Sequence, residues 1–205
     1  MANLHPKADE ALAFLQFIDP DGPYYLERMN SEGPPSPVAK TYPASDLASL
    51  KKFIEANNGL ELKRNTYFLH NAKFLTGKRR KENLSSAAFL HVDLDCKDYP
   101  GSPDEQQGRI IGLLLEPKER PKAVPEPSAV WFTGGGYQAI WKLDQPVEVD
   151  VAEDLNKRLL SALHGGPGTH NADRLLRLPG TVNWLNAHKR ESGRKPALSF
   201  WMTQP

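Results

Sequence analysis

At 205 residues the chain is long enough for one sizeable domain or two small ones, and 39% hydrophobic with 25% charged residues suits a globular protein in water. Its longest apolar runs are too short to span a bilayer, no secretory leader precedes Pro6, and a single cysteine, Cys96, excludes an internal disulfide and a cysteine-based zinc site, so a reducing, cytoplasmic setting with no membrane is expected. The net charge is only +1, so no global field attracts nucleic acid.

Residues 7–18 read as a helix, with Leu12, Phe14, Leu15 and Ile18 apolar, broken by the Asp19-Pro20-Asp21-Gly22-Pro23 turn. Residues 24–29 read as a strand, and a proline-rich loop is expected over 33–43. Ser45 is positioned to cap a helix running through Asn57, with Leu47, Leu50, Phe53 and Ile54 on one face and Gly59 at its end. Thr66-Tyr67-Phe68-Leu69 is a second strand, followed by a loop containing Lys78, Arg79, Arg80 and Lys81. A glycine-started basic loop of this kind suits a flexible contact to nucleic-acid phosphates, and an ordinary solvated face is the plainer alternative.

The apolar run from Ala87 then leads into His91-Val92-Asp93-Leu94-Asp95. On a strand, side chains alternate, so Asp93 and Asp95 share a face with Leu94 opposite. Two carboxylates ~6.6 Å apart along one strand can share divalent cations, a shape used for nucleotidyl and phosphoryl transfer. Alone, such a pair is more often a solvated strand edge or the start of a turn. A helix over 103–115 follows, then a proline-rich connection from 117 to 127.

Residues 129–132 and 137–141 are two strands around Thr133-Gly134-Gly135-Gly136. Glycines there let the backbone approach a ligand and aim N–H groups at an anion, with Gln138 following on the strand; a plain tight hairpin is the alternative. Residues 150–163 form an amphipathic helix. The segment from Asn171 to Trp184 concentrates Asp173, Arg174, Arg177 and Asn183, where arginine forks suit phosphate oxygens, or an Asp173–Arg177 ion pair holds the loop. A last strand is expected near 197–201. Glycine turns rather than helices join several strands, which predicts an α+β fold with a mostly antiparallel sheet.

Taken together, HVDLD at 91–95, TGGGYQAIW at 133–141 and DRLLRLPGTVN at 173–183 resemble the archaeo-eukaryotic primase superfamily, and within it the RepB-like primases of plasmids, phages and mobile elements. The likeness runs from about Ala8 to Ser199, and the third motif is the most specific. It implies one primase catalytic domain over 1–205, with an N-terminal αβ part to residue 85 and an RRM-like palm from 86. It further implies a DNA primase or primase-polymerase, with Asp93, Asp95 and Asp173 as catalytic carboxylates holding Mg²⁺ or Mn²⁺. Thr133, Gly134, Gly135, Gly136, Gln138, Arg174 and Arg177 would bind the nucleotide, and Lys78, Arg79, Arg80 and Lys81 the nucleic acid. A single-stranded DNA template, nucleoside triphosphates and a replicative helicase are the implied partners. Two departures stand out. Gln138 replaces a histidine common in the superfamily, as the RepB-like branch also does. Gly166 falls where the branch can carry its third carboxylate, so Asp173 either serves instead or orients Arg177. A primase-like module that binds without polymerising, and a metal-dependent nuclease, are the alternatives; a rolling-circle relaxase lacks its His-x-His pair.

Overall fold

In the computed structural model, which describes residues 4–202, the chain folds as two compact units: residues 4–73 with 175–201, and residues 74–174 with Met202. Both are α+β with antiparallel sheets. No helix among the described residues is long and apolar enough to cross a membrane.

The first unit starts with α1 (Ala8–Ile18), whose Ala8, Ala11, Phe14, Leu15 and Ile18 recur at helical spacing and are all buried. Its sheet has the order β2-β1-β3-β7, from β1 (Tyr24–Asn30), β2 (Val38–Tyr42), β3 (Arg64–Leu69) and β7 (Leu175–Arg177), every pairing antiparallel. β2 replaces part of the loop expected over 33–43. Its five residues contain no proline, and β1 offers a ladder from Arg28 opposite Val38 to Tyr24 opposite Tyr42. Helix α2 (Leu47–Asn58) is capped by Asp46, not Ser45, because the Asp46 carboxylate accepts the Ser49 N–H at 3.2 Å. A short ribbon of β8 (Val182–Asn183) and β9 (Ala197–Leu198) flanks the exposed α5 (Ala187–Glu191).

The second unit is built on β4 (Ala87–Asp95), α3 (Pro103–Leu115), β5 (Ala129–Phe132), β6 (Gly136–Val147) and α4 (Val149–Ala162). A Ser102–Glu105 capping box and Pro103 at the first turn start α3. β6 lies between β5 and β4 and is antiparallel to both, so β4-α3-β5 is a split β-α-β unit, as the RRM-like expectation requires. Leu90, Val92 and Leu94 of β4 enter one apolar core with Ile110 and Leu114 of α3 and Leu159 and Leu160 of α4. Each such fully buried side chain stabilises the fold by about 1.5–3 kcal/mol. That core fixes the strand's register, and so turns the odd-numbered residues His91, Asp93 and Asp95 to the other face.

Two buried asparagines hold the late segment in the first unit. Asn58, with no exposed surface, donates to Arg64 O and Val182 O at 2.8 and 2.9 Å and accepts the Val182 N–H at 2.6 Å. Asn65 brackets Trp184, accepting its N–H and donating to its carbonyl, each at 2.9 Å. Asn58→Ala would strip its partner from two buried backbone groups of Val182 and from the half-buried Arg64 O, at about 1–3 kcal/mol for each one left unsatisfied. We expect it to lower unfolding stability in urea by about 3 kcal/mol or more; a loss under ~1 kcal/mol would mean that water replaces the amide.

Candidate functional site

The site begins with register. On β4 and β6, Asp93 lies opposite Gln138 and Asp95 opposite Gly136, and Trp131 of β5 lies beyond Gln138. Asp93 keeps 22% of its side chain exposed and Asp95 52%, whereas Leu94 between them is fully buried. The two carboxylates therefore share the strand face that the core leaves open.

The glycine turn closes on the end of this strand. Thr133 donates to Gly136 O from both its N–H and its hydroxyl, at 2.9 and 3.0 Å, and Gly134 takes a φ of +91°. The Cys96 N–H reaches Gly135 O at 3.1 Å. A Cβ on Gly136 would overlap the carbonyl oxygen of Leu94, so the close approach of the two backbones requires glycine. The tight hairpin and the ligand-facing turn are thus compatible: the turn satisfies itself and still borders Asp95.

His91 is wholly buried. One ring nitrogen, Nε2, lies 2.8 Å from Thr169 O, which can only accept, so Nε2 carries the proton; Nδ1 accepts from Asn156 Nδ2 at 3.2 Å. Burial, above all, holds its pKa down at about 4. Asn156 also accepts the His91 backbone N–H at 2.9 Å and donates to His170 O at 3.0 Å. One turn earlier on α4, buried Glu153 accepts the Ala172 N–H at 3.1 Å and Lys81 Nζ at 2.6 Å. Residues 169–172 are thereby stitched to α4 and β4.

Asp173 and Arg174 follow that stitched segment. Arg174 lies 3.0 Å from Asp93 Oδ2 through one guanidinium N–H, while its Nε is buried without a hydrogen-bond partner. Asp173 pairs with Arg79, which also donates to the Asp173 carbonyl, at 3.5 and 3.1 Å. Asp95 meets the exposed Lys97 at 3.2 Å.

Of the residues singled out in the sequence, Asp93, Asp95, Thr133, Gly134, Gly135, Gly136, Gln138, Asp173, Arg174 and the 78–81 loop all belong to the second unit. Arg177 belongs to the first, on β7. There it donates to Asn65 Oδ1 at 3.0 Å and Tyr67 OH at 3.1 Å, with its guanidinium 4.9 Å from the centre of the Tyr67 ring. The ion pair of Asp173 is with Arg79, not Arg177. The base of the 78–81 loop is hydrogen-bonded: Leu75 bridges Leu84, the Thr76 N–H reaches Asn83 O at 2.9 Å, and Asn83 donates to Lys78 O at 2.7 Å.

Among the described residues no three of His, Cys, Asp and Glu converge as a ready metal cluster. Mg²⁺ commonly keeps several waters and takes one or two carboxylates plus substrate phosphates, so the hard oxygen donors Asp93 and Asp95 suit it as a pair. A Cβ at Gly166 would sit 2.6 Å from Asp98 Oδ2, the tip of an exposed side chain that can rotate away, so packing does not demand glycine there. His91, Glu153, Asn156 and Asp98 were not anticipated as site residues. The legible signal was on α4, where Glu153 and Asn156 occupy the stripe otherwise held by Ala152, Leu159 and Leu160.

No family model and no curated protein matches the sequence. Solved structures do match the fold. The archaeo-eukaryotic primase domain of the cyanophage S-2L primase-polymerase aligns with a TM-score of 0.62 at 17% identity, over 98% of this chain and 92% of that one. The primase RepB′ aligns with a TM-score of 0.63 at 12% identity, over 97% of this chain and 57% of that one. The catalytic domain of RepB′ in complex with initiator DNA gives 0.61 at 12%, over 97% and 85%. The fold is that of archaeo-eukaryotic primase domains.

His91 gives the site a pH signature. Its pKa is about 4 folded against 6.5 for a free imidazole, so between those values the unfolded chain binds a proton that the folded one refuses. The stability is full above pH 6.5 and falls as the pH drops towards 4, by on the order of 3 kcal/mol in total. Urea midpoints measured from pH 7 to 4.5 should fall accordingly, and the His91 ring resonances should not titrate above pH 5. A ring titrating near 6.5 would place His91 in water.

Proposed function

We propose that the chain is the catalytic domain of a DNA primase or primase-polymerase of a mobile genetic element, joining nucleotides by attack of a 3′-hydroxyl on an α-phosphate. The observation that carries the reading is Arg174 on Asp93. On a primase fold, a strand with two same-face carboxylates is met by an arginine that keeps one buried donor, Nε, without a partner. That donor is available to an anionic oxygen, as a triphosphate would supply.

Asp93 and Asp95 would hold Mg²⁺ or Mn²⁺, with Asp173 the candidate third ligand. Bound there, the ions would acidify the attacking hydroxyl and neutralise the departing pyrophosphate. The chain's own residues do the rest. Gln138, across from Asp93, and the Thr133 to Gly136 turn beside Asp95 line the triphosphate's place. Arg174 screens its charge. His91 is a neutral positioning group, because an imidazole with a pKa of about 4 neither gives nor takes a proton near pH 7. Single-stranded DNA is the proposed template, in keeping with the initiator DNA held by RepB′. The site is assigned within the second unit.

A second reading has its own observation. Gly166 supplies no carboxylate and Asp173 is paired with Arg79, so a module that binds nucleotide or DNA without joining nucleotides also fits.

Incubation with a single-stranded template, Mn²⁺ and labelled nucleotides, without primer, separates the two. Products longer than one nucleotide support the primase; binding with no product supports the module. Asp93→Ala and Asp95→Ala should each abolish incorporation while circular dichroism stays native. Near-normal synthesis by both variants would sink the primase reading. Arg174→Gln should raise the nucleotide requirement about 10-fold, the equivalent of one charge-assisted hydrogen bond.

A further inference from the structure

Resting on the primase reading, we infer that the 78–81 basic loop is two-sided: Arg79 and Lys81 are positioning residues for the nucleotide site, and only Lys78 and Arg80 are placed to meet nucleic acid. Consecutive charges in the sequence look like one patch. The structure divides them alternately.

Lys81 lies between two carboxylates of α4, 2.7 Å from Asp150 Oδ1 and 2.6 Å from Glu153 Oε2. These bonds hold its ammonium above the usual lysine range and the Asp150 carboxyl below its own. A cation already matched by two anions has little field left for a phosphate. The consequence runs through Glu153, whose second oxygen holds the Ala172 N–H. Lys81 therefore fixes the carboxylate that fixes the backbone one residue before Asp173. Arg79 grips the next residue directly, through the Asp173 carbonyl and carboxylate. Arg174, which follows, reaches Asp93. Two side chains from one loop thus set the backbone leading into the Asp173–Arg174 peptide.

Lys78 and Arg80 differ. Both are exposed; Arg80 has 67% of its side chain in solvent, with only the equally open Glu82 at 3.5 Å. The loop beneath is closed by the Leu75–Leu84 bridge and the hydrogen bond from Asn83 to Lys78 O, so it presents these two cations from a hydrogen-bonded base. Their geometry suits phosphate contacts that position a strand without reading bases.

The test compares Arg79→Gln and Lys81→Met with Lys78→Gln/Arg80→Gln. Amide exchange of residues 169–174 should speed up at least 10-fold in the first two and stay native in the outward pair. In template-directed incorporation, the inward variants should raise the nucleotide KM about 10-fold with little change in kcat, and leave single-strand affinity within 2-fold. The outward pair should weaken single-strand binding and lower its log–log salt slope by up to ~0.7 for each phosphate no longer neutralised, with the nucleotide KM unchanged. Lys81→Arg should restore the KM. Glu153→Gln, which keeps an acceptor for Ala172 but removes the charge facing Lys81, should reproduce the Lys81→Met effect in milder form. Native exchange at 169–174 in both inward variants, or an equal fall in DNA binding from all four neutralisations, would overturn the division. If the wild type incorporates no nucleotide, the primase reading fails, and the exchange experiment still decides the positioning role.

Discussion

An edge strand that carries the chemistry must have its open side satisfied without burying the chemistry itself. Among the described residues β4 pairs only with β6, so its other side must find partners from outside the sheet. Asn156 answers this by accepting the His91 N–H, and the same amide reaches the His91 ring and His170 O. One side chain of α4 thus closes the strand edge, fixes a buried imidazole and anchors the incoming loop. Because the network is buried, each unmet group would cost about 1–3 kcal/mol, which makes the arrangement close to all-or-none. The placement of Arg174 beside Asp93 depends on it.

Charge balance follows from that placement. Asp93 is faced by Arg174, Asp173 by Arg79, Glu153 by Lys81 and Asp95 by Lys97. The near-zero net charge of the whole chain is therefore reproduced locally, acid against base. A cation on Asp93 would lie beside the Arg174 charge, and an anionic ligand on the Arg174 Nε would lie beside the Asp93 charge, so each would need a compensating partner. A metal–triphosphate pair meets both demands at once, which neither partner does alone.

What was legible in the sequence was what periodicity and local chemistry encode. The alternation of 87–95, the helical pattern over 103–115 and the glycine turn at 133–136 placed β4, α3 and the β5–β6 hairpin and put Asp93 and Asp95 on one face. β2 was not legible, because exposed residues between prolines become a strand only when β1 supplies the partner. The partners of the charges were not legible either. Arg79 finds Asp173 across 94 residues and Lys81 finds Glu153 across 72, and no local pattern specifies pairings that distant. A run of four cations therefore read as one nucleic-acid-binding loop.

The third motif shows why likeness of sequence and chemistry of a site are separate matters. Within this motif Arg174 reaches Asp93 on the acidic strand face. The part from 175 onward is constrained by packing in the first unit. Gly180 has a φ of +77°, and a Cβ there would come within 2.6 Å of Lys7 O; Thr181 donates to Leu178 O at 2.6 Å. Val182 and Trp184 are bracketed by Asn58 and Asn65, and the Trp184 indole donates to Asn58 O at 2.8 Å. Glycine, threonine and tryptophan are each required here by backbone geometry or a buried hydrogen bond. The motif is specific because the fold leaves it few alternatives, so its presence is strong evidence for the fold and weak evidence for catalysis. Evidence for catalysis has to come from the two aspartates of β4 and from Arg174, which is held against Asp93.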